Sequence, residues 1–322
     1  MAGAVAGPVD GKGVAAVLDG LDAALVRELQ RDGRVSYQRL AELLGVSREA
    51  ARARVHRLTS SGAVRVVGIV RPSVVGITAV AHVSLAVEGP ARPVAEAAAA
   101  RPATSFVSCT AGGGAVVAEV RVADDRALER EFTALRGVPG VHGIEVFRCA
   151  ELLRDAYSPL PGGPAAPRPA EGPPPSVDET DRVLLGLLQV DGRASFAALA
   201  ERVGLSQPAT RARVLRLLES GAVHVTGLVA AQALGVREAV GVGLGVRGAA
   251  RQAAELAVGL PGVNYVAAGH GRFDVVCGVD AADRAALLGT LDALRALPGV
   301  VRAESWYHLD IVKETYSYDL PA

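Results

Sequence analysis

The chain has 322 residues, room for two or more ordinary domains, which excludes a single small module. Half its residues are apolar, and 34 basic side chains balance 34 acidic ones, so no polyanion-binding charge covers the whole surface and any nucleic-acid contact must be local. No apolar run approaches the roughly 18 residues of a membrane helix, no leader pattern opens the chain, and Cys109, Cys149 and Cys277 form no C-x-x-C pair; the reading is a cytoplasmic protein with no membrane partner, metal, disulfide or cofactor.

Repetition organises the rest. The segment from Gln30 to Gly62 recurs from Gln189 to Gly221, and the same displacement of 159 residues carries Gly76 onto Gly235, Pro102 onto Pro261, Pro139 onto Pro298 and Tyr157 onto Tyr316. A unit of about 140 residues is therefore written twice, too long a period for a solenoid. Residues 1–17 read as a disordered tail. Residues 18–68 and 69–157 form the two domains of copy one, 158–176 a proline-rich, semi-rigid spacer, and 177–227 and 228–322 the same two domains again.

Within each copy, Asp22 (Asp181) precedes Leu25, Val26 and Leu29 (Leu184, Leu185 and Leu188) as the cap of a first helix, which Asp-Gly-Arg ends. A second helix opens at Ser36 (Ser195) and stops at Gly45 (Gly204), where glycine takes the left-handed exit. One residue later Ser47 (Ser206) caps a third helix. So short a glycine-containing turn is the sequence shape of a helix-turn-helix.

The third helix carries the chemistry. Ala51, Val55 and Leu58 (Thr210, Val214 and Leu217) form its buried stripe. The opposite face then shows Arg48, Glu49, Arg52 and His56 in copy one and Gln207 and Arg211 in copy two, with Arg54, Arg57, Arg213 and Arg216 on the flanks. Such a helix fits the DNA major groove: residues near its N-terminus, from the capping Ser47 or Ser206 onward, reach base edges, and flanking arginines neutralise phosphates. A solvated basic face is the plainer alternative. The strands after Gly62 and Gly221 read as connectors.

From Thr78 the order is strand 79–87, helix near 93–100, strands 104–110 and 116–122, helix 126–135 and strand 143–149, repeated in copy two. This β-α-β-β-α-β order predicts a ferredoxin-like, four-stranded antiparallel sheet. Gly241, Gly243 and Gly245 leave one face of the opening strand of copy two almost bare, and copy one places His82, Ser84 and Ala86 on the matching face. The small faces predict that two sheets pack together. The turn Gly269-His270-Gly271-Arg272-Phe273-Asp274 offers a carboxylate beside an arginine and backbone donors, a set suited to a zwitterion, or else an ordinary hairpin turn. Copy one has Gly112-Gly113-Gly114-Ala115 there, without the acid and without the lysine a phosphate loop needs.

Taken together, Leu18-Asp19 with Asp22, Asp32-Gly33-Arg34, Leu40-Ala41, Gly45-Val46-Ser47, Arg54-Val55 with Leu58, and their counterparts in copy two resemble the Lrp/AsnC family of bacterial transcription regulators. The resemblance implies an α+β fold: two copies of a (winged) helix-turn-helix followed by a ferredoxin-like "RAM" domain. It also implies double-stranded DNA as partner, self-association through RAM domains, and an amino-acid effector near Gly269, His270, Gly271, Arg272 and Asp274. Family members usually carry one copy, so the tandem form suggests a built-in pseudo-dimer and an asymmetric operator. Two rivals stand beside this reading. One is an effector-free architectural DNA binder. The other is an enzyme like the sirohaem decarboxylases, against which the sequence is read because Asn264-Tyr265 has no adjacent histidine or arginine and the six histidines are scattered. The expectation is therefore a regulator and not an enzyme.

Overall fold

The computed structural model describes residues 18–155 and 174–321. The expected tail, Tyr157 and all but the last residues of the expected spacer lie outside them. No helix among the described residues is long and apolar enough to cross a membrane.

Copy one opens with α1 (Gly20–Arg31), α2 (Tyr37–Leu44) and α3 (Arg48–Ser60), and copy two with α6 (Glu179–Val190), α7 (Phe196–Val203) and α8 (Gln207–Glu219). The caps of α1 and α6 differ from expectation. Asp19 and Asp178, not Asp22 and Asp181, are the caps that accept from the first-turn N–H groups; Asp22 and Asp181 stand one turn inside, and Asp181 accepts from the Asp178 N–H at 3.2 Å to complete a capping box. Gly45 and Gly204 take the left-handed conformation at the ends of α2 and α7, as a one-residue turn into the next helix requires.

The strands that follow, β1 (Val64–Val70) and β6 (Val223–Val229), do more than connect. They pair antiparallel with each other across the copies, with Val67 opposite Thr226 near the centre. Val225, Val229, Ala230 and Ala233 thereby enter the core of the first helical unit, while Val70 and Val74 enter that of the second. A fully buried valine contributes about 1.5–3 kcal/mol, so each unit is completed by the other copy.

The remaining strands of copy one are β2 (Ala79–Val87), β3 (Thr104–Ala111), β4 (Val116–Val122) and β5 (Val141–Arg154), with α4 (Ala91–Ala99) and α5 (Asp125–Arg136) between them. Copy two repeats the order as β7 (Glu238–Val246), α9 (Ala250–Val258), β8 (Val263–Gly271), β9 (Val275–Ala281), α10 (Arg284–Arg295) and β10 (Val300–Glu314). Each set makes the predicted antiparallel sheet, ordered β3-β4-β2-β5 in one copy and β8-β9-β7-β10 in the other. The long last strands then cross over, β5 onto β8 and β10 onto β3, and close eight strands into one barrel. Alternation along β2 explains the layering: Ala81, Val83 and Leu85 face α4 and α5, whereas His82 and Ser84 face the barrel interior.

Candidate functional site

Each recognition helix is set by local chemistry. Ser47 accepts from the Ala50 N–H at 3.1 Å and Ser206 from the Ala209 N–H at 3.4 Å, satisfying donors that the first turn leaves open. Ala51, Val55 and Leu58, or Thr210, Val214 and Leu217, are buried. Arg48, Glu49, Arg52 and His56 of α3 are exposed, as are Gln207 and Arg211 of α8.

The flanking arginines are engaged within the protein. Arg54 lies 2.8 Å and Arg57 2.6 Å from the Asp22 carboxylate, and Arg213 lies 3.0 Å and Arg216 2.5 Å from that of Asp181. The two aspartates are 3% and 1% exposed, so each is a buried charge that needs those partners. Backbone and arginine hydrogen bonds hold the capping Asp19 and Asp178 below the usual carboxylate range.

Asp-Gly-Arg, expected only to end a helix, ties the copies together. Arg34 donates to the carbonyls of Gly192 (2.6 Å) and Ala194 (2.9 Å), and Arg193 donates to Gly33 (2.6 Å) and Val35 (3.0 Å). Each guanidinium also lies 4.8 Å from the centroid of an aromatic ring, Phe196 or Tyr37. A Cβ at Gly33 would lie 2.7 Å and one at Gly192 2.6 Å from the same Val225 methyl, which both turns press against, so glycine at both positions suits the approach. The helix-turn-helix units are thus fixed relative to one another.

The expected effector turn lies in the seam between β5 and β8, where Cys149 faces Gly269, Arg148 faces His270 and Phe147 faces Gly271. Its groups are largely committed. The Gly269 N–H donates to the Asp274 carbonyl at 3.0 Å, the Asp274 N–H to Leu244 at 2.8 Å, and the Asp274 carboxylate accepts from the Val246 N–H at 2.7 Å. Arg272 reaches Glu145 of copy one at 2.8 Å and Glu304 at 2.6 Å. The bare face of β7 meets side chains rather than another backbone: Cβ atoms at Gly241 and Gly243 would lie 2.1 Å and 2.4 Å from ring atoms of Trp306 and Phe273.

Inside the barrel is a cavity of about 210 Å³, with a polar cluster that the sequence reading missed. His82 Nε2 lies 2.7 Å from the Tyr265 hydroxyl and 3.2 Å from a Glu119 carboxylate oxygen. Glu119 faces His82 across β2 and β4 and is bound by Arg121 at 2.5 Å; Arg121 in turn donates to Asp155 at 2.8 Å. Burial would raise the Glu119 carboxyl, but Arg121 and His82 override it and hold the group well below its ordinary range. Burial pushes the Tyr265 phenol well up, so it stays protonated. An Nε2 shared by a carboxylate and a phenol can hold or pass a proton. One signal for this cluster was legible: Glu119 and Arg121 are two apart on one face of an otherwise apolar strand. Tyr265 was not, because it arrives from the other copy.

Residues 18–59 and 177–218 each match the AsnC-type helix-turn-helix domain. The HTH-type regulator LrpA of Mycobacterium tuberculosis is 36% identical over 44% of this chain and 93% of its own length. An uncharacterised HTH-type regulator of Pyrococcus abyssi is 33% identical over 44% of this chain and 91% of its own. The chain belongs to the Lrp/AsnC family of transcriptional regulators. Those relatives align to less than half of it, so this Lrp/AsnC protein is a two-copy form.

Among solved structures, the siroheme decarboxylase NirDL covers 94% of both chains with a TM-score of 0.66, at 13% identity. A second NirDL structure, with an iron-uroporphyrin III analogue, covers 92% of this chain with a TM-score of 0.65. This overturns the expectation that the chain is not an enzyme. The same two-copy fold serves an enzyme, and the argument from scattered histidines fails because folding brings His82, Glu119, Arg121 and Tyr265 together from both copies. At 13% identity the likeness establishes the fold alone.

Proposed function

We propose that this Lrp/AsnC regulator binds double-stranded DNA in the cytoplasm through α3 and α8 together, reading an asymmetric operator. The observation that carries this reading is the reciprocal Arg34 and Arg193 clamp with the β1–β6 ribbon, which holds two unlike recognition faces as one unit. Arg48, Glu49, Arg52 and His56 read one half-site, and Gln207 and Arg211 the other, with bidentate arginine and glutamine contacts selecting guanine and adenine. Ser47 and Ser206 set the helix N-termini against the backbone. Arg54, Arg57, Arg213 and Arg216 chiefly brace these helices through Asp22 and Asp181, and half-exposed Arg57 and Arg216 add phosphate contacts.

An amino acid or related small metabolite acts as effector at Gly269, His270, Gly271, Arg272 and Asp274. Its carboxylate competes with Glu145 for Arg272, which loosens a cross-copy ion pair and shifts the balance between barrel arrangements. RAM surfaces also associate between chains. Mobility shifts on the protein's own upstream DNA, with and without a panel of amino acids, test the reading. A salt-sensitive, sequence-selective complex altered by one of them is expected; a complex indifferent to all of them removes the effector and leaves an architectural binder.

A further inference from the structure

Beyond β10, residues 315–321 run from the barrel onto the second helix-turn-helix. Thr315 still pairs with β3, its N–H donating to the Ser105 carbonyl at 2.9 Å. Two bonds then join the segment to the buried Gln189 of α6: Nε2 donates to the Tyr318 carbonyl at 3.0 Å, and Oε1 accepts from the Tyr318 N–H at 2.8 Å. Tyr318 and Leu320 pack on the core of that unit. At Gly186, inside α6, a Cβ would collide with the Pro321 carbonyl oxygen. Glycine weakens a helix interior, and here it opens the seat in which the segment lies.

The other anchor is in the barrel wall. The Tyr318 hydroxyl accepts from Arg121 of copy one at 3.3 Å, and Arg121 is the buried arginine held by Glu119 and Asp155. Glu119 in turn meets His82 in the cavity. Polar contacts thus lead without a break from the barrel interior through Arg121, Tyr318 and Gln189 to α6, whose Asp181 braces α8 through Arg213 and Arg216. The Arg34 and Arg193 clamp grips this unit at Gly192 and Ala194, past the end of α6, and leaves the tilt of α6 and α8 to the segment from the barrel.

This set is written once in the duplicated chain. The displacement of 159 residues puts Arg27 in the place of Gly186, Asp280 in that of Arg121 and Gly278 in that of Glu119. Tyr318 corresponds to Pro159, which has neither a backbone N–H nor a hydroxyl to offer. Gln30 alone matches its counterpart, Gln189.

We propose that Tyr318, Gln189 and Gly186 are positioning residues of a strap by which Arg121, in the barrel wall, sets the placement of α6 and hence of α8. A change of charge in the barrel interior therefore acts on the second recognition helix and not on the first. The consequence for DNA rests on the half-site reading above; the strap itself does not.

Hydrogen exchange on the full-length protein tests the strap without DNA. Tyr318→Phe keeps the ring and removes the hydroxyl that Arg121 reaches, while Glu119→Gln changes a charge inside the barrel. Each is expected to speed exchange of the α6 and α8 amides about fivefold and to leave α1 and α3 unchanged. The double variant is expected to match Tyr318→Phe alone, because the interior change has lost its path. Should Glu119→Gln lose the wild-type circular dichroism, His82→Gln supplies the interior change. Unaltered exchange in α6, equal acceleration in both units, or additive effects overturn the proposal. Footprinting separates it from the DNA reading: Tyr318→Phe is expected to lose protection over the half-site of α8 alone, and uniform loss over both half-sites overturns the strap. A wild type that protects no DNA, with the exchange result intact, overturns the DNA reading and leaves the strap standing.

Discussion

Asp22 and Asp181 hold the recognition helices in place from one turn inside the preceding helix. Each is buried and faces two arginines, so removing the carboxylate takes the ion-pair partner from Arg57 (Arg216) and leaves Arg54 (Arg213) paired with the more exposed Asp19 (Asp178) alone. Asp22→Ala and Asp181→Ala are each expected to lower stability by about 2–3 kcal/mol in urea unfolding, below the cost of breaking a fully buried pair because Arg57 and Arg216 stay half exposed. An unchanged midpoint would mean the pairs are only surface contacts. His308 makes a second prediction at this scale. The unfolded chain binds a proton near the ordinary histidine value of 6.5, whereas the folded protein refuses it until about pH 4. Stability is therefore lost as pH falls through that window. Thermal unfolding from pH 7 to 5 should show a steeper decline in the wild type than in His308→Phe; parallel curves would contradict the assignment.

At the scale of elements, the ribbon of β1 and β6 and the Asp-Gly-Arg turns make two helical units into one body. The guanidiniums of Arg34 and Arg193 each donate to two carbonyls of the other copy, and hydrogen bonds involving a charged group are worth about 1.5–3 kcal/mol. Arg34→Ala with Arg193→Ala should weaken DNA binding even though neither residue is on a recognition face. Retained affinity in a gel-shift titration would show that the ribbon alone fixes the geometry. The helix-turn-helix was legible because its caps, its left-handed glycine and its apolar stripe are local signals written twice. The caps of α1 and α6 were misplaced by one turn, since Asp19 and Asp22 stand three apart and either satisfies the sequence pattern; burial of Asp22 against Arg54 and Arg57 decides. The glycine stripe of β7 was read correctly as a place of close approach, but the sequence could not tell that rings of the same copy, rather than a second backbone, fill it.

For the molecule as a whole, duplication and divergence divide the work. Both copies keep the capping serines, the arginine braces and the buried aspartates, while their exposed helix faces, their hairpin turns and the walls they give the barrel differ. Pairings between copies are what the sequence hid: Tyr265 with His82, Arg272 with Glu145, β5 with β8. No local pattern encodes them, because each depends on a register set by the closure of eight strands. The enzyme exclusion failed for the same reason. The measurement that bears most directly on the central claim is hydroxyl-radical footprinting of the full chain on its operator, comparing the wild type with Arg52→Ala and Arg211→Ala. Protection of two adjacent half-sites of unlike sequence is expected, with each substitution clearing a different one. Unchanged protection in both variants, or loss of the same half-site in each, would contradict a single unit that reads DNA with two distinct helices.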